Sequence, residues 1–367
     1  MSIRVRTVIL CTAVLATAGA LPAPPAHADT AGEPIIADLT GDGLSDRAYL
    51  GATAADYCSV VLQPGHPPGV FVPPSAYVYL RPVPGGGPES CPDIGTAFDW
   101  DADSAQELWI GWSRGAPAGL GYNRLILDHY GTGFRPVGTF TSPITPVRID
   151  TAVFTPGAVP TPYSVGLGGF ASYAIDGPTT GLHPQRWCSA DTPALQLRDV
   201  DHNGAVDALL AYTDGCADHA NGVVLVFDDG RTRQLEHGPD IWSARFAYGN
   251  ADRAIDIRTE NRVSGQVHQF IGRDGGTFVL APVAVAETVT VPAGRASTID
   301  VLANDVAGGA VRVVVTTPPR YGTATVNGDG RIVYRPAAEH GSTDRLGYRL
   351  GEEGRSSGAT VTIRISG

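Results

Sequence analysis

Asp38-Leu39-Thr40-Gly41-Asp42-Gly43-Leu44-Ser45-Asp46 is the stretch from which the architecture can be read, because two later stretches repeat its chemistry. These are Asp99-Trp100-Asp101-Ala102-Asp103-Ser104-Ala105-Gln106-Glu107 and Asp199-Val200-Asp201-His202-Asn203-Gly204-Ala205-Val206-Asp207. Each time, oxygen-bearing side chains occupy positions 1, 3, 5 and 9. Alternate residues of a tightly curled loop can aim their oxygens at one centre, and a hard cation such as calcium takes about six to eight of them. Leu44, Ala105 and Ala205, at position 7, would each add a backbone carbonyl. Gly43 and Gly204 suit the sharp turn at position 6, whereas Ser104 must tolerate a strained backbone there. Asp, Asn and Gly are also ordinary turn formers, so the calcium reading rests on recurrence and not on one loop.

The recurrence has a phase. First positions at 38, 99 and 199 are separated by 61 and 100 residues, the second interval being close to twice fifty. A worn copy is therefore expected near residue 150, where Arg148-Ile149-Asp150 runs into Thr151-Ala152-Val153-Phe154 as a strand without ligands. Another is expected near 248, where Tyr248-Gly249-Asn250-Ala251-Asp252-Arg253-Ala254-Ile255-Asp256 keeps oxygens at positions 3, 5 and 9. Gly-centred hairpins recur downstream at His129–Phe134, Phe227–Thr232 and Gly272–Phe278. Between them lie short apolar runs such as Arg124–Leu127, Gly222–Phe227 and Phe278–Leu280, bounded by turn residues, with no sustained helical periodicity. That pattern predicts an all-β region.

A unit of about fifty residues with an acidic loop between its first strands and a hairpin near its end resembles the FG-GAP, or VCBS, repeat of β-propellers. The resemblance covers residues 29–282 and implies a propeller of about five blades with calcium in its intact loops. Propellers of this family usually close about seven blades; either the ring is small or further strands hide in the irregular insert from Gly65 to Pro88. From Val283 the text changes to alternating runs such as Glu287–Val291, Gly322–Val326, Arg331–Pro336 and Ala359–Ile365. Alternation of this kind predicts a small β-sandwich over residues 283–367. Val301-Leu302-Ala303-Asn304-Asp305, Tyr334-x-Pro336 and Gly341-x-x-Asp344-x-x-x-Tyr348 make it resemble bacterial immunoglobulin-like, or cadherin-like, repeats. Gly351-Glu352-Glu353-Gly354 replaces the Asp-containing turn usual after that Tyr, so no calcium is expected there.

Arg4 and Arg6, an apolar run from Val8 to Leu21 and Ala26-His27-Ala28 before Asp29 read as an export signal over residues 1–28. The expected product is secreted. Losing Arg4 and Arg6 moves the formal charge from −11 to −13, which argues against nucleic acid as a partner. No later stretch is apolar for the eighteen or so residues of a membrane span. Four cysteines remain, Cys58, Cys91, Cys188 and Cys216, and an even number in an exported chain is most simply two disulfides. Three pairings are open; the sequential one, Cys58 with Cys91 and Cys188 with Cys216, keeps each pair within one repeat and is the expectation.

Gly111-Trp112-Ser113-Arg114-Gly115 matches the GxSxG nucleophile elbow, but the elbow needs a helix after its turn and Ala116-Pro117-Ala118-Gly119-Leu120-Gly121 is too broken to form one. The histidines show no metal-ligand spacing; His202, at an even loop position, is expected to point outward. Of the tryptophans, Trp109 follows a loop directly and is expected in the core; the even loop position of Trp100 points outward, but packing between blades is the favoured reading for these aromatics. The combined expectation is a secreted, calcium-binding, non-catalytic protein that binds a protein or polysaccharide ligand at or near a cell surface. A polysaccharide-reading, lectin-like propeller is the second reading. A hydrolase is the third, and it needs an acid, base or nucleophile cluster that the sequence does not display. Oligomeric state is not legible.

Overall fold

The short apolar runs pair with their neighbours in sequence, because each is bounded by turn residues that reverse the chain after a few residues. In the computed structural model, which describes residues 32–367 other than 53–57, 80–82, 84, 176–181, 249–253, 307–310 and 353–354, five four-stranded antiparallel sheets follow one another from Ile35 to Leu280. The export signal at 1–28 and most of the loop after Tyr248 lie outside the described residues. Among the described residues there is no α-helix, and no helix is long and apolar enough to cross a membrane.

The first sheet comprises Ile35–Ala37, Asp46–Ala52, Cys58–Gln63 and Ser75–Tyr79, and the second Ile94–Phe98, Glu107–Gly111, Arg124–Tyr130 and Gly133–Phe140. The third comprises Thr145–Ala152, Thr161–Leu167, Gly169–Ile175 and Leu182–Trp187. The fourth holds Ala194–Arg198, Asp207–Tyr212, Asn221–Val226 and Thr232–Gly238, and the fifth Trp242–Ala247, Asp256–Asn261, Val267–Arg273 and Thr277–Leu280. The insert after Gly65 yields the outer strand of the first sheet and a two-residue ribbon, Gly65–His66 with Val70–Phe71, and, among its described residues, no further sheet.

Successive sheets pack through the faces of their inner strands. Ile94–Phe98, Glu107–Gly111 and Asp207–Tyr212 are buried at every residue. Alternation disappears from them because both faces are covered. Trp109 fills the space between the second and third sheets, with its ring 4.8 Å from Tyr173 and 5.7 Å from Phe98. Tyr163 and Phe170 of the third sheet meet Leu210 and Val224 of the fourth, and Leu209 and Leu225 of the fourth meet Ile257 and Phe270 of the fifth. Each such side chain contributes about 1.5–3 kcal/mol by leaving water.

The worn third copy falls three residues later than its phase suggests. Asp150 lies inside the strand Thr145–Ala152, and the connection equivalent to the acidic loops is 153–160. A repeated contact sets the register: Gln106 N donates to Asp38 O at 2.8 Å, and Val206 N donates to Val153 O at 2.7 Å. The two disulfides are Cys58–Cys91 and Cys188–Cys216, the sequential pairing. Each joins neighbouring sheets: Cys58 opens the third strand of the first sheet and Cys91 leads into the second, while Cys188 leaves the third and Cys216 belongs to a turn of the fourth.

Ala281 N still bonds to the fifth sheet through Gln269 O, whereas Val283 exchanges two hydrogen bonds of 2.9 Å with Val306 of the next domain. That domain is an immunoglobulin-like sandwich. One sheet takes Glu287–Pro292, Thr343–Glu352, Arg355–Ser366 and Arg312–Thr317, and the other Ser297–Ile299, Gly322–Val326 and Ile332–Pro336. Glu287–Pro292 runs parallel to Arg355–Ser366. Tyr334 and Tyr348 fill its core, and their hydroxyls reach acids at its edge: Tyr334 donates to the buried Asp344 Oδ2 at 2.8 Å and Tyr348 to the half-buried Asp305 Oδ1 at 2.8 Å. The motif residues noted in sequence are thus the polar clasps of this core.

Candidate metal centres

The three acidic loops share one backbone. Position 4 is left-handed in each, at Gly41 (φ 72°), Ala102 (φ 64°) and His202 (φ 61°), and so is position 6, at Gly43 (φ 82°), Ser104 (φ 79°) and Gly204 (φ 93°). The strain expected at Ser104 is present, and two further non-glycine residues share it at position 4. Hydrogen bonds explain what holds the curl. Asp38 accepts from Asp42 N at 3.1 Å and Gly43 N at 2.8 Å; Asp199 accepts from Asn203 N at 3.1 Å and Gly204 N at 2.9 Å. In the second loop Asp99 accepts from Ala102 N at 2.7 Å.

Position 9 is a buried acid that bonds backward across the loop. Asp46 accepts from Leu39 N and Thr40 N at 2.9 Å each and from Gly65 N at 2.9 Å. Asp207 accepts from Val200 N at 2.9 Å and Asp228 N at 3.1 Å, and Glu107 accepts from Trp100 N. The forward bond, equivalent to those from Gly65 and Asp228, survives in the fifth sheet, where buried Asp256 accepts from Gly272 N at 2.8 Å. Position 5 serves its own turn: Asp42, Asp103 and Asn203 each accept from the amide of position 7, at Leu44, Ala105 and Ala205, within 2.8–2.9 Å.

Positions 1, 3 and 9 converge in two of the loops. Asp99, Asp101 and Glu107 bring oxygens within 4.8 Å of one another, as do Asp199, Asp201 and Asp207. Burial, reinforced by the neighbouring aspartates, pushes the Glu107 carboxyl up to about 8 and Asp207 up to about 7 against the pull of their backbone hydrogen bonds. Burial also raises Asp101 and Asp38. Like charges at this spacing repel by up to about 3 kcal/mol per pair at an effective dielectric near 20, less where exposed Asp101 is involved. The first loop has Thr40 at position 3 and so assembles no third carboxylate. Position 3 nevertheless presents a buried oxygen without a hydrogen-bond partner in both outer cases: Thr40 Oγ1 in the first loop and Asp201 Oδ1 in the third. The other oxygen of Asp201 faces the half-exposed Arg231 at 3.5 Å, too loose and solvated a contact to neutralise the cluster.

Ser113 is held by Asp93, which accepts from its N–H and its hydroxyl at 2.7 Å each. Thr213 and Asp191 repeat the pair at the equivalent edge of the fourth sheet. Recurrence makes it a clasp between the second strand and the chain leading into the first, and no helix follows the turn. Trp100 is buried, as the packing reading has it and against the outward even position: at position 2 it turns under the loop to pack on Phe98 and Phe140, with ring centroids 6.0 and 5.6 Å away. Trp109, Trp112 and Trp242 are buried too, and His202 is exposed. Sequence reasoning missed Glu236 and His268, whose side chains meet at 2.8 Å between strands 32 residues apart, with Thr259 Oγ1 donating to the same Glu236 oxygen at 2.6 Å. Nothing in local spacing marks residues that only sheet pairing brings together.

A bacterial Ig domain model matches residues 280–364, covering the sandwich. No curated protein matches. Among solved structures, an endo-fucoidan hydrolase from glycoside hydrolase family 107 aligns at 10% identity and TM-score 0.19, over 47% of this chain and 37% of that chain. The chain therefore spans under half the length of the enzyme it is aligned with.

Proposed function

We propose that this is a secreted binding protein whose five sheets form a calcium-stabilised propeller of the FG-GAP kind, carrying an immunoglobulin-like module at its end. Five meanders in sequence, each packed on the next, with acidic loops at equivalent connections, support the propeller reading. The observation that carries the calcium is in the third loop, where the position 3 oxygen, Asp201 Oδ1, is buried and unpartnered beside carboxylates already within 4.8 Å of one another; Thr40 Oγ1 repeats the unpartnered oxygen in the first loop, and Asp99, Asp101 and Glu107 repeat the cluster in the second. A divalent cation removes both the repulsion and the orphaned acceptor. Asp99, Asp101, Glu107 and Asp199, Asp201, Asp207 would hold it directly, with Asp38, Thr40, Asp42 and Asp46 forming a weaker site. Position 5 and the position 7 carbonyls complete each shell.

The metal's role is structural. Each loop joins the first two strands of a sheet, and closing it against charge repulsion is what the cation does. Binding to the folded state alone stabilises by about 2.7 kcal/mol per site at a hundredfold excess over Kd. Isothermal titration of chelator-treated protein with calcium tests this: two tighter sites and one weaker are expected, and heat indistinguishable from dilution overturns it. A polysaccharide ligand is favoured over a protein one by the cavity that Trp187 and Tyr212 line.

A further inference from the structure

A cavity of about 350 Å³ opens beside the Cys188–Cys216 disulfide, where the third sheet passes to the fourth. Trp187 and Tyr212 line it, their rings 5.4 Å apart and inclined at 53°, and Asp218, Gln234 and His237 bring polar atoms to it. Tyr212 is only 4% exposed, and Gln234 Nε2 donates to its hydroxyl at 3.0 Å, so this ring is fixed in advance. The indole N–H of Trp187 is buried with no hydrogen-bond partner. Asp218 and His237 face each other at 3.3 Å, both half-exposed.

The repeat supplies an internal comparison. Trp112 precedes the Ser113–Asp93 clasp as Tyr212 precedes Thr213–Asp191, and a second cavity lies there beside Cys58–Cys91. It measures about 240 Å³ and is lined by Glu89, Asp93 and Arg114. Small-molecule sites begin at about 300 Å³ and combine apolar walls with a few convergent polar groups. Of these two, the Trp187 cavity meets both conditions.

We propose that this cavity binds a single neutral pyranose residue of a glycan. A pyranose offers an apolar C–H face to an aromatic wall and a hydroxyl edge to mixed acceptors and donors, which Asp218, Gln234 and His237 supply. Gln234 Nε2 is already committed to Tyr212, Val223 and Glu236, so the groups that a wholly apolar ligand would strip of water without replacing it are the half-exposed Asp218 and His237. A uronate or sulfated sugar would meet Asp218 with no arginine in the lining to offset it. The inference rests on the reading of the chain as a binding protein, and it adds the ligand class and the site.

The test titrates the secreted chain, in calcium, with methyl glycosides of neutral hexoses and 6-deoxyhexoses and with a methyl glucuronide, followed by saturation-transfer NMR. At least one neutral glycoside is expected to saturate with Kd of about 1 mM or tighter. Asp218→Asn should weaken it tenfold or more with the melting temperature unchanged, while Arg114→Ala, in the smaller cavity, should leave it unchanged. Absence of saturation by any neutral glycoside, equal binding by Asp218→Asn, or preference for the glucuronide overturns the proposal. Melting with and without EDTA, run alongside, separates the two ideas: a calcium-dependent shift without glycoside binding sinks only the cavity, and glycoside binding without that shift sinks only the calcium.

Discussion

The first and third acidic loops have the same backbone and different charge. Both place left-handed residues at positions 4 and 6, both curl the chain around the position 1 aspartate, and both anchor it on a buried position 9 aspartate. They differ at position 3, where Thr40 stands in one and Asp201 in the other. Only the loop with aspartate there gathers three carboxylates. The comparison separates two codes that overlap in sequence: positions 1 and 9 build the loop, and under the calcium proposal position 3 would set how strongly it attracts a cation. The worn fifth copy agrees, since Asp256 keeps its amide bond to Gly272 after position 1 has become Tyr248.

The largest effect is expected from breaking the building code. Asp46→Ala leaves the amides of Leu39, Thr40 and Gly65 without their acceptor, and at about 1–3 kcal/mol for each buried group the loss should exceed about 3 kcal/mol in urea denaturation. A loss below about 1 kcal/mol would mean that the loop is held by something else. The attraction code is sharpened by Thr40→Asp, which should convert the first loop into a third tight site and raise its calcium affinity about tenfold in titration calorimetry, as expected for one added charged ligand. If affinity stays the same, position 3 does not face the ion.

Protonation probes the same clusters without mutation. With calcium removed, Glu107 and Asp207 hold their protons to about pH 8 and 7 in the folded state, whereas the unfolded chain releases them in the ordinary carboxylate range. Between those limits the folded state binds more protons, so stability should fall as pH rises from about 4.5 to 8 and then level off. Calcium should flatten that slope, because the cation offsets the charge that burial disfavours. A metal-free melting temperature that rises across the window would contradict the assignment. The smallest effect belongs to Ser113→Ala, about 1 kcal/mol, because the clasp loses one hydroxyl bond to Asp93 and retains the amide bond.

Much of this was legible because the repeat writes the same chemistry several times. The phase of Asp38, Asp99 and Asp199 gives five units, and five sheets follow. The third unit was misplaced by three residues because its loop, 153–160, keeps no acid to mark position 1. The even loop position puts His202 outside correctly, whereas for Trp100 the general tendency of large aromatics to pack outweighs it: position 2 donates its amide to the position 9 acid, and that turn carries the side chain inward. The cavity of Trp187 and Tyr212 is assembled across two sheets and a disulfide, and the Glu236–His268 pair across a sheet interface. Neither has a spacing to read.

The central claim is that cations in the acidic loops hold the five-sheet region together, and the sandwich provides its own control because its acids Asp305 and Asp344 are already bonded to tyrosines. Differential scanning calorimetry in about 10 mM calcium against EDTA measures it directly, at a concentration well above the weak dissociation constants of extracellular sites. The five-sheet transition should rise by on the order of 10 °C with calcium while the sandwich transition stays in place. A five-sheet transition that does not move would contradict the account.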